Sequence, residues 1–316
     1  PEDEQEVDLL IISNGGDPIT SLRIISLLRE RFKKVTVLLP YVAYSAATVL
    51  ALGADEIVMH PFSNLGPVDP QLTVAHSNEK GVQEHLQFGS EDIRNYIEFL
   101  KSDVGLTDQE HLTSAVQALL KEVGTLSIGS AKRGQQLSLT LSEKMLLLHI
   151  KDTNKAKSIA KVLNSSYYHH GYAVGRKEAK DIGLPIIYPK QELEQTLWRI
   201  WQDYSNEMKC DEPFDPVREV MQNKESRDKL TQIPTITIPA NTPPDLAQQI
   251  FIQQIQQIPV TTTSSLKQKV MIASVESAYK SKAYYNNIDI LYWRNADMTL
   301  GINVTPYGSG WVDYEG

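Results

Sequence analysis

The chain has 316 residues, of which 41% are hydrophobic and 22% are charged, as is ordinary for a globular protein with a sizeable core. Its net charge of −8 and its pI near 5.5 argue against nucleic-acid binding, because no basic stripe is available to neutralise phosphates. The single cysteine, Cys210, excludes an internal disulfide framework. The sequence opens on PEDEQE, without a basic and apolar leader, so we expect a cytoplasmic protein.

Strands and helices alternate over the first sixty residues. Apolar runs and periodicity predict strands at 7–13, 35–39 and 56–59, an amphipathic helix at 19–32, and a shorter helix from Ser45 to about Leu52. This alternation is typical of a parallel sheet flanked by helices, so the predicted fold class is α/β.

The uncharged run at 35–54 has 20 positions, which is long enough on its own for a membrane-spanning helix. Pro40, Ser45 and Thr48 interrupt this run, and its start is rich in β-branched residues. A buried strand followed by a buried helix is therefore the better interpretation, and membrane association is not expected.

A glycine pair ends the first strand, and a serine opens the helix that follows the second. Gly15 and Gly16 can bring backbone N–H groups close to a ligand, and the first N–H groups of a helix lack intrahelical acceptors. With Ser45, these groups can form a nucleophile and its oxyanion hole. The plainer alternative is that Ser45 is an N-cap and the glycines shape a turn.

Loop and helix signals alternate downstream. A loop rich in Pro, Gly and Asn is predicted at 62–72, followed by helices at 90–105 and 107–123 with Ser90 and Thr107 as N-caps. Further helices are predicted at 132–150, 153–163, 176–181 and 191–208, with a strand at 185–188.

The composition changes after residue 211. Prolines become frequent, and the pattern predicts a helix at 244–258 and strands at 270–278, 288–294 and 298–304. We therefore predict two parts, a domain at 1–210 and a C-terminal α+β extension of unknown role at 211–316.

Five motifs share order and spacing with a known family. They are SNGGDP at 13–18, PYVAYSAATVLALGADEIVM at 40–59, NLGPVDPQL at 64–72, GSAKRGQ at 129–135 and HHGYAVGRKEAKDIGL at 169–184. In these motifs the chain resembles the serine dehydrogenase proteinase family, which is related to ClpP protease and signal peptide peptidase A within the ClpP/crotonase fold. The resemblance covers about residues 7–205. It implies that Ser45 is the nucleophile and that the N–H groups of Gly16 and Ala46 form the oxyanion hole.

The general base is where the chain departs from these relatives. ClpP carries a histidine about 25 positions after its serine, where this chain has Asp69 and no histidine, and the lysine position of signal peptide peptidase A falls at Glu91. One possibility is His170 as general base with Asp69 orienting it, since triads are defined by geometry and not by chain order. A second is a Ser–Lys dyad that uses Lys132, whose pKa burial would have to lower.

The sequence thus predicts a serine peptidase with a ClpP/crotonase-like domain. No cofactor is expected, and the histidines show no metal-ligand spacing. The resemblance implies a peptide or protein substrate and either a homo-oligomer or a complex with a partner that unfolds substrates. Two other functions stay open: a crotonase-type thioester enzyme, and a non-catalytic assembly module that has kept the fold.

Overall fold

The structure is a computed structural model that describes residues 5–77, 83–165, 167, 169, 171–230, 237–256, 263–295, 297 and 299–314, with only the backbone at 76–77 and 255–256. The chain divides into two compact units, Pro1–Gln202 and Asp203–Gly316. Each is described by itself below.

The elements that begin in the first unit are, in chain order, β1 (Glu6–Leu10), α1 (Pro18–Arg31), β2 (Lys34–Leu39), β3 (Val42–Ala43), α2 (Ala46–Ala51), β4 (Glu56–Met59), β5 (Asn64–Leu65), β6 (Gln71–Ser77), β7 (Gln83–Gly89), α3 (Ser90–Ser102), α4 (Gln109–Val123), α5 (Thr125–Leu146), α6 (Thr153–Ser165), β8 (Val174–Gly175), α7 (Arg176–Ile182), β9 (Ile186–Ile187) and α8 (Gln191–Met208).

A parallel sheet with strand order β1-β2-β4-β9 forms the centre of this unit. Val35, Thr36 and Val37 are buried in succession along β2, as expected where both faces of a parallel sheet are covered. The helices contribute the rest of the core, with buried Ile25 from α1 and Met145 from α5. The predicted α/β fold with a helix-flanked parallel sheet is confirmed.

Two smaller sheets lie in the same unit. β3, β5 and β8 form a three-stranded sheet in which β3 and β5 are parallel, while β6 and β7 form an antiparallel hairpin. The segment predicted as a loop at 62–72 therefore contains β5 and the start of β6. Short strands of this kind bury few side chains, so they leave a weak periodic signal in the sequence.

The run at 35–54 folds as β2, β3 and α2, as the strand-then-helix interpretation predicts. In the part of the chain that the structure describes, no helix has the length and apolar character needed to cross a membrane. The two predicted N-caps were wrong by one residue. The N-cap of α3 is Gly89, whose N–H donates to the Asp92 side chain. The N-cap of α4 is Asp108, whose side chain accepts from the Glu110 N–H.

The second unit contains α9 (Pro216–Gln222), α10 (Lys224–Lys229), α11 (Pro244–Gln256), β10 (Ser264–Glu276), β11 (Ser281–Arg294) and β12 (Leu300–Asp313). The strands form an antiparallel sheet in the order β10-β11-β12, and they are longer than predicted. A cluster of buried hydrophobic residues in this unit consists of Val220, Leu230, Ile288, Ile290 and Tyr292.

Candidate active site

Ser45 lies on a strained turn between β3 and α2. Its backbone has φ 51° and ψ −118°, and it is one of three non-glycine residues with positive φ in the described chain. Such a conformation costs about 1–3 kcal/mol in an L-residue and is concentrated at functional sites. Ser45 occupies the N-cap position of α2, as the plainer alternative predicts, but its side chain makes no capping hydrogen bond. Ser45 is partly exposed, and its hydroxyl is not used to cap the helix.

The glycine turn is fixed beside Ser45 by backbone hydrogen bonds. The Ser13 N–H donates to the Val42 carbonyl at 2.9 Å, and the Tyr44 N–H donates to the Ser13 carbonyl at 2.9 Å. Gly15 has φ 113°, and a Cβ there would lie 2.8 Å from the Tyr44 carbonyl oxygen and 2.9 Å from the Ser45 Cβ. Only glycine fits this close approach to the serine.

Two backbone N–H groups flank this turn, those of Gly16 and Ala46. Within the described residues, neither N–H donates to a protein acceptor. A Cβ at Gly16 would meet no atom within 4 Å, so the space beside this residue is open. The buried Ser21 hydroxyl donates to the Ala46 carbonyl at 2.6 Å and fixes that residue against α1. These two N–H groups are therefore candidates for an oxyanion hole, which needs two such donors.

Asp69 lies on the loop that follows β5. Its Oδ2 accepts a hydrogen bond from the Gln71 side chain at 2.9 Å. Three residues earlier, Gly66 packs on the Tyr44 ring, since a Cβ at Gly66 would lie 2.6 Å from Tyr44 Cδ1. Three residues of extended chain span at most about 10 Å, so the Asp69 backbone lies within about 10 Å of Gly66, the residue that packs on Tyr44.

Asp69 also lines a cavity of about 470 Å³ in the first unit. The lining is polar and is completed by Gln71, Gln87, Glu91, Asp92, Arg94, Asn95, Ser165, Tyr167, His169 and Gly171. His170 lies outside the described residues, but its two neighbours in sequence share this cavity with Asp69.

His169 has the wrong hydrogen bonding for a triad base. Its Nδ1 accepts from the Gly171 N–H at 3.0 Å, so the neutral ring carries its proton on Nε2. A triad histidine needs the opposite arrangement, with Nδ1–H donating to the orienting carboxylate and Nε2 accepting from the serine. The segment is anchored nearby, because the Tyr167 and Tyr172 rings stack at 4.5 Å and both hydroxyls donate to Glu178.

Lys132 is exposed on α5. Its ammonium donates to the Gln135 side chain, one turn further along the same helix, at 3.1 Å. Gln135 in turn donates to Glu91, which pairs with Arg94. A dyad lysine works by having its pKa lowered through burial, and this environment does not provide that burial.

Two further residues near this site, Thr48 and Gly66, were not predicted from the sequence. Thr48 is fully buried in α2 and hydrogen-bonds to both sides of the β3–β5 pair, and Gly66 packs on Tyr44. The available signal was a threonine in an otherwise apolar helix. Over the described ranges, no group of three or more His, Cys, Asp or Glu side chains is placed to hold a metal ion.

A parallel sheet with a strained serine after a strand and a glycine turn against it fits the ClpP-like class of folds. Residues 1–125 match the model of the family described as ClpP-like SDH-type serine proteinase. This confirms the resemblance for the three motifs before residue 125, whereas the motifs at 129–135 and 169–184 lie outside the match. The matched segment includes Gly15, Gly16, Ser45 and Asp69, and ends before Lys132.

Two proteins of the archaeon Methanocaldococcus jannaschii are among the relatives. The uncharacterized protein MJ0137 is 28% identical over 201 residues, which cover 63% of this chain and 59% of MJ0137. The uncharacterized protein MJ1495 is 28% identical over 186 residues, which cover 59% of this chain and 53% of MJ1495. The chain thus spans little more than half the length of these relatives.

Proposed function

We propose that this chain is a serine peptidase that cleaves peptide bonds through an acyl-enzyme at Ser45. The observation that carries the proposal is the strained Ser45 backbone, at φ 51° and ψ −118°, with a hydroxyl that caps nothing. Backbone strain that no local hydrogen bond of the side chain offsets is typical of residues at functional sites. The match to a serine proteinase family over residues 1–125 supports the same reaction class.

In the proposed mechanism, the Ser45 Oγ attacks the scissile carbonyl while a general base takes its proton. The negative charge that develops on the carbonyl oxygen is bound by the N–H groups of Gly16 and Ala46, and loss of one such donor typically costs about 10²–10³ in rate. The base then gives the proton to the leaving amine. Water hydrolyses the resulting ester and restores the serine.

We assign the base to His170 and its orientation to Asp69. The support is that Asp69 shares a cavity with the residues on either side of His170, and that the hydrogen bond at His169 Nδ1 makes that neighbour unsuitable. Lys132 is the second candidate. Its exposure on α5 makes it the weaker one, because a dyad lysine depends on burial.

The substrate in this proposal is a peptide or protein. Homo-oligomerisation, or a complex with a partner that unfolds substrates, is proposed from the family resemblance alone. Sedimentation of the full chain tests the oligomer, and a single species at the mass of one chain would contradict it.

Labelling with a fluorophosphonate probe tests the proposed reaction. The wild-type chain is expected to react, and Ser45→Ala is expected not to. Among base variants, His170→Ala and Asp69→Asn are expected to slow the labelling, whereas Lys132→Ala is expected to label at the wild-type rate. Labelling that survives His170→Ala but not Lys132→Ala would assign the base to the dyad instead.

A further inference from the structure

The Thr48 hydroxyl joins the two segments that carry the proposed catalytic groups. Thr48 is fully buried in α2, three residues after Ser45. Its Oγ1 lies 2.6 Å from the Ala43 carbonyl and 2.9 Å from the Gly66 carbonyl, and it accepts at 3.1 Å from the Gly66 N–H, which also donates to the Ala43 carbonyl at 3.1 Å. One side chain therefore bonds the strand that leads into Ser45 and the loop that leads to Asp69.

A hydroxyl has one proton and two lone pairs, so Thr48 can donate to only one of the two carbonyls while it accepts the Gly66 N–H. The contact with Ala43 is the shortest, which places the proton there and leaves a lone pair for the Gly66 N–H. No other side chain in the described chain hydrogen-bonds to both of these segments. Gly66 also lies tightly on the Tyr44 ring, so the loop has little room to shift at this point.

A second buried hydroxyl fixes the loop one residue before Asp69. Ser138, on α5 and 4% exposed, donates to the Val68 carbonyl. The Val68 N–H donates to the Leu163 carbonyl at 2.9 Å. The peptide groups on both sides of Val68 are thus held by α5 and α6, and Asp69 follows directly.

We propose that Thr48 and Ser138 are positioning residues, which set the placement of Asp69 relative to Ser45 and so the alignment of the general base. This inference rests on the proposed function, in which Asp69 orients His170. Neither hydroxyl touches the substrate. Both act through the backbone of the loop at 66–69, where a displacement of about 1 Å at the carboxylate would cost roughly 10² in rate.

The test compares Thr48→Val, which removes the hydroxyl at nearly constant volume, with Thr48→Ser, which keeps it. Thr48→Val is expected to lower the rate of fluorophosphonate labelling at least about tenfold, and Thr48→Ser to restore most of it. The apparent pKa in the pH profile of labelling is also expected to fall in Thr48→Val. A nearby carboxylate raises the pKa of a histidine, and a misplaced Asp69 would do so less.

Ser63→Ala is the matched control. Ser63 is also fully buried, and its hydroxyl donates to the His60 carbonyl at 2.8 Å, a local bond that does not reach the loop at 66–69. It is expected to lower the melting temperature without changing the pH profile. If Thr48→Val does not fold, Ser138→Ala tests the same claim, with the same fall in rate and in apparent pKa expected.

The outcomes separate this inference from the proposed function. If the wild type is labelled and Thr48→Val has the same rate and pH profile, the positioning role is overturned and the proposed peptidase activity is unaffected. If Thr48→Val does not fold, the same result in Ser138→Ala has the same meaning. An equal loss in Ser63→Ala also overturns it, because the effect would then follow from stability alone. Absence of labelling in the wild type overturns the proposed function, and the positioning role with it.

Discussion

Replacement of Gly15 by alanine tests the packing of the glycine turn against Ser45. The added Cβ would lie 2.9 Å from the Ser45 Cβ and 2.8 Å from the Tyr44 carbonyl oxygen. Carbon atoms in contact normally stand about 3.5–4.0 Å apart, so the new atom overlaps the serine by about 0.6–1 Å. Either the glycine turn or the strained serine turn must move.

The cost has two parts. Placing alanine at φ 113° costs about 1–2 kcal/mol, and overpacking a close contact costs about 1–3 kcal/mol more. The free energy of unfolding is therefore expected to fall by roughly 2–5 kcal/mol. Because Ser45 is displaced, the rate of fluorophosphonate labelling is expected to fall by about 10² or more.

Gly105→Ala is the control for the cost of placing alanine at a positive φ. Gly105 has φ 73°, and a Cβ there would meet no atom within 4 Å. This variant is expected to lose only about 1–2 kcal/mol and to label at the wild-type rate. Denaturant unfolding and labelling rates are measured on both variants. Equal losses of stability, or normal labelling of Gly15→Ala, would refute the steric reasoning.

Three further changes have expected outcomes. Ser45→Gly relieves the positive φ and loses no hydrogen bond, so we expect it to raise the free energy of unfolding by about 1 kcal/mol while abolishing hydrolysis; a destabilised variant would contradict the strain. Asp69→Asn is expected to slow peptide hydrolysis roughly 10³- to 10⁴-fold with little change in melting temperature, and an unchanged rate would remove Asp69 from the triad. Burial lowers the pKa of His149 although its ring nitrogen faces the Leu52 carbonyl at 2.9 Å. The unfolded chain therefore takes up a proton that the folded chain does not, and stability measured by urea unfolding is expected to fall as the pH drops below about 6.5; His149→Gln should flatten this fall, and an equally steep fall in that variant would contradict it.

The parallel sheet was predictable because its strands are continuous apolar runs. β4 has the predicted bounds, and α1 differs from its prediction by one residue at each end, where Asp17 caps the helix and Pro18 opens it. The hairpin of β6 and β7 was not predicted. Most of the described side chains along β7 are exposed, so no buried face marks its period in the sequence.

The close approach of the glycine turn to Ser45 was also predictable from local sequence. Gly15, Gly16 and Ser45 are marked by their positions directly after strands, and the structure brings them together. The candidates for the general base and its orienting carboxylate, His170 and Asp69, are far apart in the chain. Local sequence patterns do not show which distant segments meet. Thr48 and Ser138 show the same limit, because the sequence does not reveal which distant backbone group a buried hydroxyl bonds.

The most direct test of the central claim is to find the residue that the fluorophosphonate modifies. Wild-type chain is treated with the probe, digested and mapped by mass spectrometry, with Ser45→Ala treated in parallel. The expected result is one adduct, on the peptide that contains Ser45, and no adduct in the variant. An adduct on another residue, or an unmodified Ser45 in the folded wild-type chain, would contradict the assignment of Ser45 as the nucleophile.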